Sequence, residues 1–212
     1  MEKKKLVIAG CGKLGNIVAD AVVGGLLDGY ELVGAYSRSR EKAEALAHKV
    51  NERNGHCMVA DTFDRLLGLK PDFMVEAASP AAMREWALPA LGNGTSVVTL
   101  SIGAFADDAF YEEAGRVASE NGAHVYIVSG ATGGFDVLQT TALMGGAKAE
   151  FFNEKGPDAL RGTAVYDESL QKERKTVFTG SAKEAIRVFP TKVNVTVAAS
   201  RASVGPENMN VT

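Results

Sequence analysis

Segments with the apolar pattern of a strand alternate with segments of helical spacing along the first 130 residues of the chain. Short apolar runs rich in β-branched side chains are followed by longer segments in which Ala, Leu, Glu and Lys recur at helical spacing. Strands joined through helices in this way form βαβ units and a parallel sheet. The pattern predicts strands at residues 5–9, 31–36, 57–60, 73–77, 96–100 and 124–128, and helices at residues 14–27, 40–51, 62–67, 80–91 and 107–121.

The predicted strands are apolar on both faces, as in the run Phe73-Met74-Val75. Strands of this kind are typical of parallel sheets covered by helices on both sides. The fold class predicted for residues 1–130 is therefore α/β, with a doubly wound parallel sheet. Length and composition agree with this prediction, because 212 residues of which 46% are hydrophobic suffice for a sizeable core.

The pattern changes after residue 128, where the sequence SGATGG at residues 129–134 indicates a flexible junction. We expect a second, smaller α/β (α+β) domain at residues 131–212. It is predicted to contain a helix at 135–143, a strand at 175–179, a helix at 181–189 and an apolar segment at 193–200. Ser181 and Glu184 have the spacing of a capping box. Residues 144–175 are polar and irregular and carry no prediction.

Charge and cysteine content narrow the functional class. A formal net charge of -3 gives no positive field for a phosphate backbone, and no apolar run approaches the roughly 20 residues that span a bilayer. We therefore expect neither nucleic acid nor membrane as a partner. The two cysteines form no disulfide framework and have no metal-ligand spacing to the histidines. We expect no metal site and a cytoplasmic location.

The sequence GCGKLG at residues 10–15 matches the pattern G-x-G-x-x-G between the first predicted strand and the first predicted helix. Gly10 allows the tight turn, Gly12 lets a pyrophosphate approach the backbone, and Gly15 lets the helix pack on the strand. A helix N-terminus favours an anion, and here Lys13 and Leu14 form it. These five residues predict a Rossmann-type NAD(P)-binding domain at residues 1–130; the alternative is a glycine-rich turn without a ligand.

The end of the second strand predicts which dinucleotide binds. NAD-binding proteins usually place an acidic residue there to bind the ribose 2′-hydroxyl, but this chain has the sequence YSRSR at residues 36–40. The Arg38 guanidinium and the Ser37 hydroxyl can bind a 2′-phosphate through charge-assisted hydrogen bonds. We therefore predict NADP or NAD as cofactor, with NADP preferred. The alternative is that Arg38 and Arg40 are merely solvated.

Four further polar residues are predicted at the carboxyl edge of the sheet, where such folds bind ligands: Glu76, Ser79, Ser101 and Asp136. Ser79 either lines the nicotinamide ribose or caps the helix that begins at Pro80. For Asp136, a first-turn helix charge is the favoured interpretation.

The sequence SGATGGFDVL at residues 129–138 resembles the L-aspartate dehydrogenases. Three other segments agree with this resemblance: VEAASP at 75–80, LSIGAFAD at 100–107, and FTGS at 178–181 followed by FP at 189–190 and VNV at 193–195. The resemblance implies an NAD(P)-dependent oxidoreductase that deaminates L-aspartate oxidatively to iminoaspartate and so feeds NAD biosynthesis. It also implies a homodimer formed through the open sheet of a substrate domain, and cofactor contacts from Ala131 and Asn194.

The resemblance assigns no catalytic residue to this sequence, because the catalytic histidine of the family lies in a segment beyond Thr212. The resemblance then implies an incomplete second domain, in either a fragment of an active enzyme or a short form that binds without turnover. The three histidines present, His48, His56 and His124, are interpreted as structural or solvated. Two alternatives stay open: a non-catalytic dinucleotide-binding module, and another NAD(P)-dependent amino-acid or semialdehyde dehydrogenase.

Overall fold

The computed structural model describes residues 2–53, 55–130, 132–189 and 193–212. The chain divides into two compact units, Met1–Val128 and Ser129–Thr212, and each is described by itself. Among the helices of the described residues, none has the length and apolar character needed to cross a membrane.

The first unit contains a six-stranded parallel sheet in the order β3-β2-β1-β4-β5-β6. The order reverses between β1 and β4, so the predicted doubly wound α/β sheet is confirmed. Its strands are β1 (Lys4–Ala9), β2 (Tyr30–Tyr36), β3 (Met58–Val59), β4 (Phe73–Glu76), β5 (Ser96–Thr99) and β6 (Val125–Ile127). Its helices are α1 (Lys13–Val23), α2 (Arg40–Asn51), α3 (Phe63–Leu67), α4 (Pro80–Gly92) and α5 (Asp108–Glu120), with a 3-10 helix at Ile102–Ala106.

Apolar side chains from the sheet and the helices form the core of this unit. Ile8 of β1, Leu32 of β2 and Leu46 of α2 are almost fully buried in one cluster. Ala19 of α1 belongs to the same cluster, which ties the first helix to the strand that precedes it. Burial of this apolar surface stabilises the unit and fixes where the loops at the carboxyl edge of the sheet lie.

Three helices of the first unit begin with a side chain that accepts a backbone hydrogen bond. The side chains of Thr62, Ser79 and Asp107 each accept from the backbone N–H three residues further on, at 3.2 Å in every case. Helix α1 differs, because its N-cap is Gly12, which has no side chain to accept such a bond. The first helix therefore offers its N-terminal amides to another acceptor.

The second unit consists of short elements around a small sheet. They are α6 (Phe135–Leu143), β7 (Ala149–Phe151), β8 (Gly180–Ser181), α7 (Ala182–Val188), α8 (Asn194–Arg201) and β9 (Met209–Val211), with 3-10 helices at Pro157–Leu160 and Glu168–Gln171. The central strand β9 is parallel to β7 and antiparallel to β8. Its apolar side chains pack with Ala182, Ala185 and Ala199 of the helices.

The sequence predictions for the second unit are met unevenly. The capping box at α7 is present, because the Ser181 hydroxyl accepts from the Glu184 N–H at 3.2 Å and the Glu184 carboxylate accepts from the Ser181 N–H at 2.7 Å. The predicted strand at residues 175–179 is wrong, since this segment has no regular structure. Phe178 instead packs edge to face on Phe189. The apolar side chain at this position therefore belongs to an aromatic contact and not to a strand.

Candidate functional site

The glycine loop and the turn after β4 meet where the strand order of the first unit reverses. Gly10 follows β1 with φ of 104°, a left-handed conformation that favours glycine. A Cβ on Gly10 would lie 2.6 Å from the carbonyl carbon of Ala77 and 2.7 Å from the nitrogen of Ala78. The turn after β4 therefore contacts the glycine loop directly, at the point where open α/β sheets bind their ligands.

Gly12 and Gly15 have opposite surroundings. A Cβ on Gly15 would lie 2.2 Å from the Gly10 carbonyl oxygen, so the absence of a side chain lets α1 approach the loop. A Cβ on Gly12 would meet no atom within 4 Å. Gly12 thus borders open space at the start of α1, where Lys13 is exposed and Leu14 is 48% exposed.

The electrostatics at the start of α1 favour an anion. The first turn of the helix contains no acidic side chain, and its N-cap, Gly12, has no side chain that could accept from the N-terminal amides. The Asn16 amide donates to the carbonyl oxygens of Cys11 at 3.3 Å and Gly12 at 3.0 Å, which holds the loop closed against the helix. Backbone N–H groups and the positive end of the helix dipole remain to bind a phosphate.

The end of β2 lies beside this loop, because the Gly10 N–H donates to the Tyr36 carbonyl oxygen at 2.8 Å. Ser37 is half-buried and Arg38 is exposed. Arg40 is held differently: its guanidinium donates to Glu44 at 2.7 Å and also pairs with Asp61. The hydrogen bond to Glu44 and the charge of Asp61 raise the pKa of Arg40.

Arg38 and Arg40 therefore differ in their availability for a ligand. Arg40 is engaged by two carboxylates, whereas Arg38 forms no ion pair with the described residues. Arg38 is therefore a cation that remains available beside the glycine loop.

A buried carboxylate connects the ends of β4 and β5. Glu76 is the last residue of β4 and is fully buried. Its Oε1 accepts hydrogen bonds from the N–H groups of Ala78 at 2.7 Å and Ser79 at 3.1 Å. The Ser101 hydroxyl donates to the same oxygen at 2.9 Å, and the Thr99 hydroxyl donates to Oε2 at 2.8 Å. These four bonds fix the turn that contacts Gly10.

Ser79 occupies the helix-cap position that sequence reasoning left open. Its hydroxyl oxygen accepts the N–H of Ala82 at 3.2 Å at the start of α4. The cap uses a lone pair of Ser79, so the hydroxyl proton is still available to donate. Glu76, Ser79 and Ser101 lie together, as their predicted positions at strand ends require. Thr99 was not predicted, although a threonine that ends a strand two residues before Ser101 could have suggested it.

The second unit contains three further candidate residues: Ala131, Asp136 and Asn194. Asn194 is the first residue of α8 and is half-buried. Ala131, the other residue implied by the resemblance, lies outside the described residues. Asp136 is exposed in the first turn of α6, where a negative charge complements the helix dipole.

The histidines lie outside this constellation, and the Cys11 thiol is buried within the glycine loop. His56 and His124 precede β3 and β6, so they stand at the amino edge of the sheet, and His48 is exposed on α2 with its imidazole 3.6 Å from the Glu52 carboxylate. Burial raises the pKa of Cys11 to about 11 against the small opposing effect of its hydrogen bond to Tyr36. Burial likewise raises that of Cys57 to about 12. Protonated thiols are poor nucleophiles.

Comparison with known families identifies relatives of both units. Residues 10–128 match the family model for the NAD-binding domain of homoserine dehydrogenase. Residues 136–212 match the family model for the C-terminal part of aspartate dehydrogenase.

Similar proteins of known name match almost the whole chain. The L-aspartate dehydrogenase of Methanococcus maripaludis strain C5 is 31% identical over 98% of this chain and 77% of its own length. That of Methanosarcina mazei is 34% identical over 98% of this chain and 76% of its own length. The crystal structure of aspartate dehydrogenase from Thermotoga maritima superposes with a TM-score of 0.72 at 27% identity, covering 99% of this chain and 77% of that one.

Proposed function

Because the chain belongs to the L-aspartate dehydrogenase family, we propose that it is an NAD(P)-dependent oxidoreductase that deaminates L-aspartate to iminoaspartate. The observation that carries this proposal is the open, uncapped start of α1 after Gly12, where the strand order reverses. A dinucleotide needs such a site for its pyrophosphate. The family membership supplies the substrate.

The described residues divide the binding of the cofactor among them. The backbone at Gly12, Lys13 and Leu14 holds the pyrophosphate, because these amides have no intrahelical acceptor. The exposed Arg38 guanidinium and the Ser37 hydroxyl hold a 2′-phosphate, which makes NADP the preferred cofactor. When bound, the nicotinamide supplies a hydride acceptor for the α-carbon of the substrate.

The proposal also assigns roles to the two domains and to three further cofactor contacts. Residues 1–130 are the NAD(P)-binding domain, and residues 131–212 contribute to substrate binding and to a homodimer in the cytoplasm. Ser79, Ala131 and Asn194 contact the cofactor. The proton leaving the amine is not assigned to His48, His56 or His124, because two of them precede strands and the third is exposed on α2. The product feeds NAD biosynthesis.

The substrate assignment is tested by the absorbance of reduced cofactor at alkaline pH. The purified chain with NADP and L-aspartate is expected to produce NADPH, with L-alanine and L-homoserine as controls that give no signal. A flat trace together with tight NADP binding would favour a non-catalytic binding module. Turnover of another amino acid and none of aspartate would assign the chain to a different dehydrogenase.

The cofactor preference is tested by Arg38→Asp. The variant replaces a cation with an acidic side chain that repels a 2′-phosphate and accepts from a 2′-hydroxyl, so the affinity ratio of NADP to NAD should fall by at least about tenfold. Arg53→Asp is the matched control. Arg53 is also exposed, and its substitution changes the net charge by the same amount. It follows the far end of α2, whose 12 residues span about 18 Å. Equal ratios in the wild type and in Arg38→Asp would refute the NADP assignment.

A further inference from the structure

Glu76 is a buried acid whose hydrogen-bond partners are all neutral. Two backbone N–H groups and two hydroxyls donate to its carboxylate, at distances from 2.7 to 3.1 Å. The described residues place no Lys, Arg or His within ion-pair distance of it. Both oxygens act only as acceptors, which is the hydrogen-bonding capacity of an ionised carboxylate.

A carboxylate in such surroundings holds its donors in place. Burying the group without these donors is costly, so the four bonds form together or the carboxylate must move towards water. The Thr99 hydroxyl oxygen also accepts the Ser101 N–H at 3.0 Å, which couples the donor that ends β5 to the donor that follows it. Glu76 thereby locks the turn after β4 to the turn after β5.

The locked turn is the one on which the glycine loop rests. A Cβ on Gly10 would come within 2.8 Å of three backbone atoms of Ala77 and Ala78, and the Ala78 N–H is one of the donors to Glu76. A shift of this turn by a few tenths of an ångström moves Gly10 and, through it, Gly12. The glycine loop is thus linked through this turn to the Glu76 carboxylate.

We propose that Glu76 is a positioning residue of the dinucleotide site and that the Thr99 hydroxyl is the partner through which β5 supports it. The inference rests on the proposed function, because it concerns the same binding site. It assigns to Glu76 no contact with the cofactor. Its action is to hold the turn at residues 77–79 against the glycine loop.

Two threonines of one strand region provide the test. Thr95 and Thr99 are both fully buried, and each donates its hydroxyl to an oxygen, Thr95 to the Pro71 carbonyl at 2.9 Å and Thr99 to Glu76 at 2.8 Å. Thr95 directly precedes β5, and Thr99 is its last residue. The Thr99 hydroxyl also accepts from the Ser101 N–H, and the Thr95 hydroxyl accepts from the Asn93 amide at 3.4 Å. Thr99→Val and Thr95→Val therefore each remove two hydrogen bonds with little change of volume, and both should lower stability.

Only the variant at the carboxyl edge should affect binding. We expect Thr99→Val to weaken NADPH binding about tenfold, because the Glu76 carboxylate loses a donor and holds the turn at residues 77–79 less firmly. We expect Thr95→Val to bind within about twofold of the wild type. NADPH fluorescence titration and urea unfolding on the same samples separate affinity from stability.

Glu76→Gln adds a direct probe of the carboxylate. The amide group places a donor opposite one of the four donors, so the affinity loss should equal or exceed that of Thr99→Val. The double variant should lose less than the sum of the two single losses. If Glu76→Gln fails to fold, the threonine pair alone decides.

The outcomes separate this inference from the proposed function. Equal affinities of Thr99→Val and Thr95→Val, beside a wild type that binds NADPH, would overturn the role of Glu76 and leave the proposed function standing. A folded wild type that binds no dinucleotide would overturn both.

Discussion

The three glycines of the loop at residues 10–15 have separate physical roles. Gly10 satisfies a left-handed backbone and a close contact with the turn after β4, and Gly15 satisfies a close contact between helix and loop. Gly12 has open space where a side chain would stand. The fold therefore requires Gly10 and Gly15, whereas no contact within the described residues requires a glycine at position 12.

Alanine substitutions should separate these roles. Gly12→Ala is expected to change the free energy of unfolding by less than about 1 kcal/mol, because its φ of -79° suits alanine. Its methyl group occupies the approach of the pyrophosphate, so dinucleotide affinity should fall at least about tenfold. Gly10→Ala should lose more than about 2 kcal/mol of stability, from backbone strain and the clash with Ala77.

Urea unfolding and fluorescence titration of both variants make the comparison. A Gly12→Ala protein that binds NADPH as tightly as the wild type would show that the dinucleotide does not approach this glycine.

Single residues could be predicted from the sequence where a local motif is enough to indicate their role. The turn at Gly10 and the close packing at Gly15 could be predicted from a short motif, and Arg38 is proposed from the absence of an acidic residue after β2. Arg40 could not be separated from Arg38, because the distinction depends on Asp61, 21 residues along the chain. Thr99 was missed for the same reason, since its partner Glu76 belongs to another strand.

At the scale of elements, side-chain caps decide where several helices begin. The capping box of α7 joins Ser181 and Glu184 reciprocally. The hydrogen bonds from the Ser181 N–H and hydroxyl hold the pKa of Glu184 below its ordinary value of 4.5. A carboxylate whose pKa is lowered on folding contributes stability above its unfolded pKa, and that contribution is lost as the pH falls through the folded pKa.

Glu184→Ala is therefore expected to destabilise the chain most at neutral pH. The difference in unfolding free energy between the wild type and the variant should be constant from pH 6 to 8 and should shrink once the pH falls below about 4.5. Urea unfolding across this range measures it. Glu173→Ala, at an exposed glutamate without an ion pair to the described residues, is the control; a Glu184→Ala difference that stays constant down to pH 3 would contradict the capping role.

Elements with several turns or a full apolar run were predicted almost to the residue. Helices α2 and α6 have the predicted bounds, and strands β1, β4 and β5 differ from theirs by one residue. Helix α1 ends at Val23 instead of residue 27, because Gly25 adopts a left-handed conformation with φ of 75°. A glycine pair within an apolar pattern ends a helix earlier than periodicity alone indicates.

The second unit shows where prediction from periodicity fails. Strands β7, β8 and β9 contain two or three residues each, too few to establish a period. Strand β7 pairs with β9, about 60 residues further on, so its existence depends on a distant partner. The pattern at residues 175–179 resembles that of a strand, but the segment has no regular structure and its Phe178 ring packs on Phe189.

At the scale of the whole molecule, the alternation of strands and helices was enough to predict the parallel sheet and the edge at which the candidate site lies. Right-handed crossovers and parallel pairing follow from that alternation. The substrate could not be predicted from the same physics, because one fold serves many reactions. It follows from membership of a family whose similar members share about three quarters of their length with this chain.

The central claim, that the backbone after β1 holds a dinucleotide, is tested most directly by isothermal titration calorimetry of the wild-type chain with NADPH and NADP. The proposal predicts a saturable heat with one dinucleotide bound per chain and tighter binding than for NAD. A chain whose circular dichroism shows it to be folded, but which gives no heat with any of these dinucleotides, would contradict it.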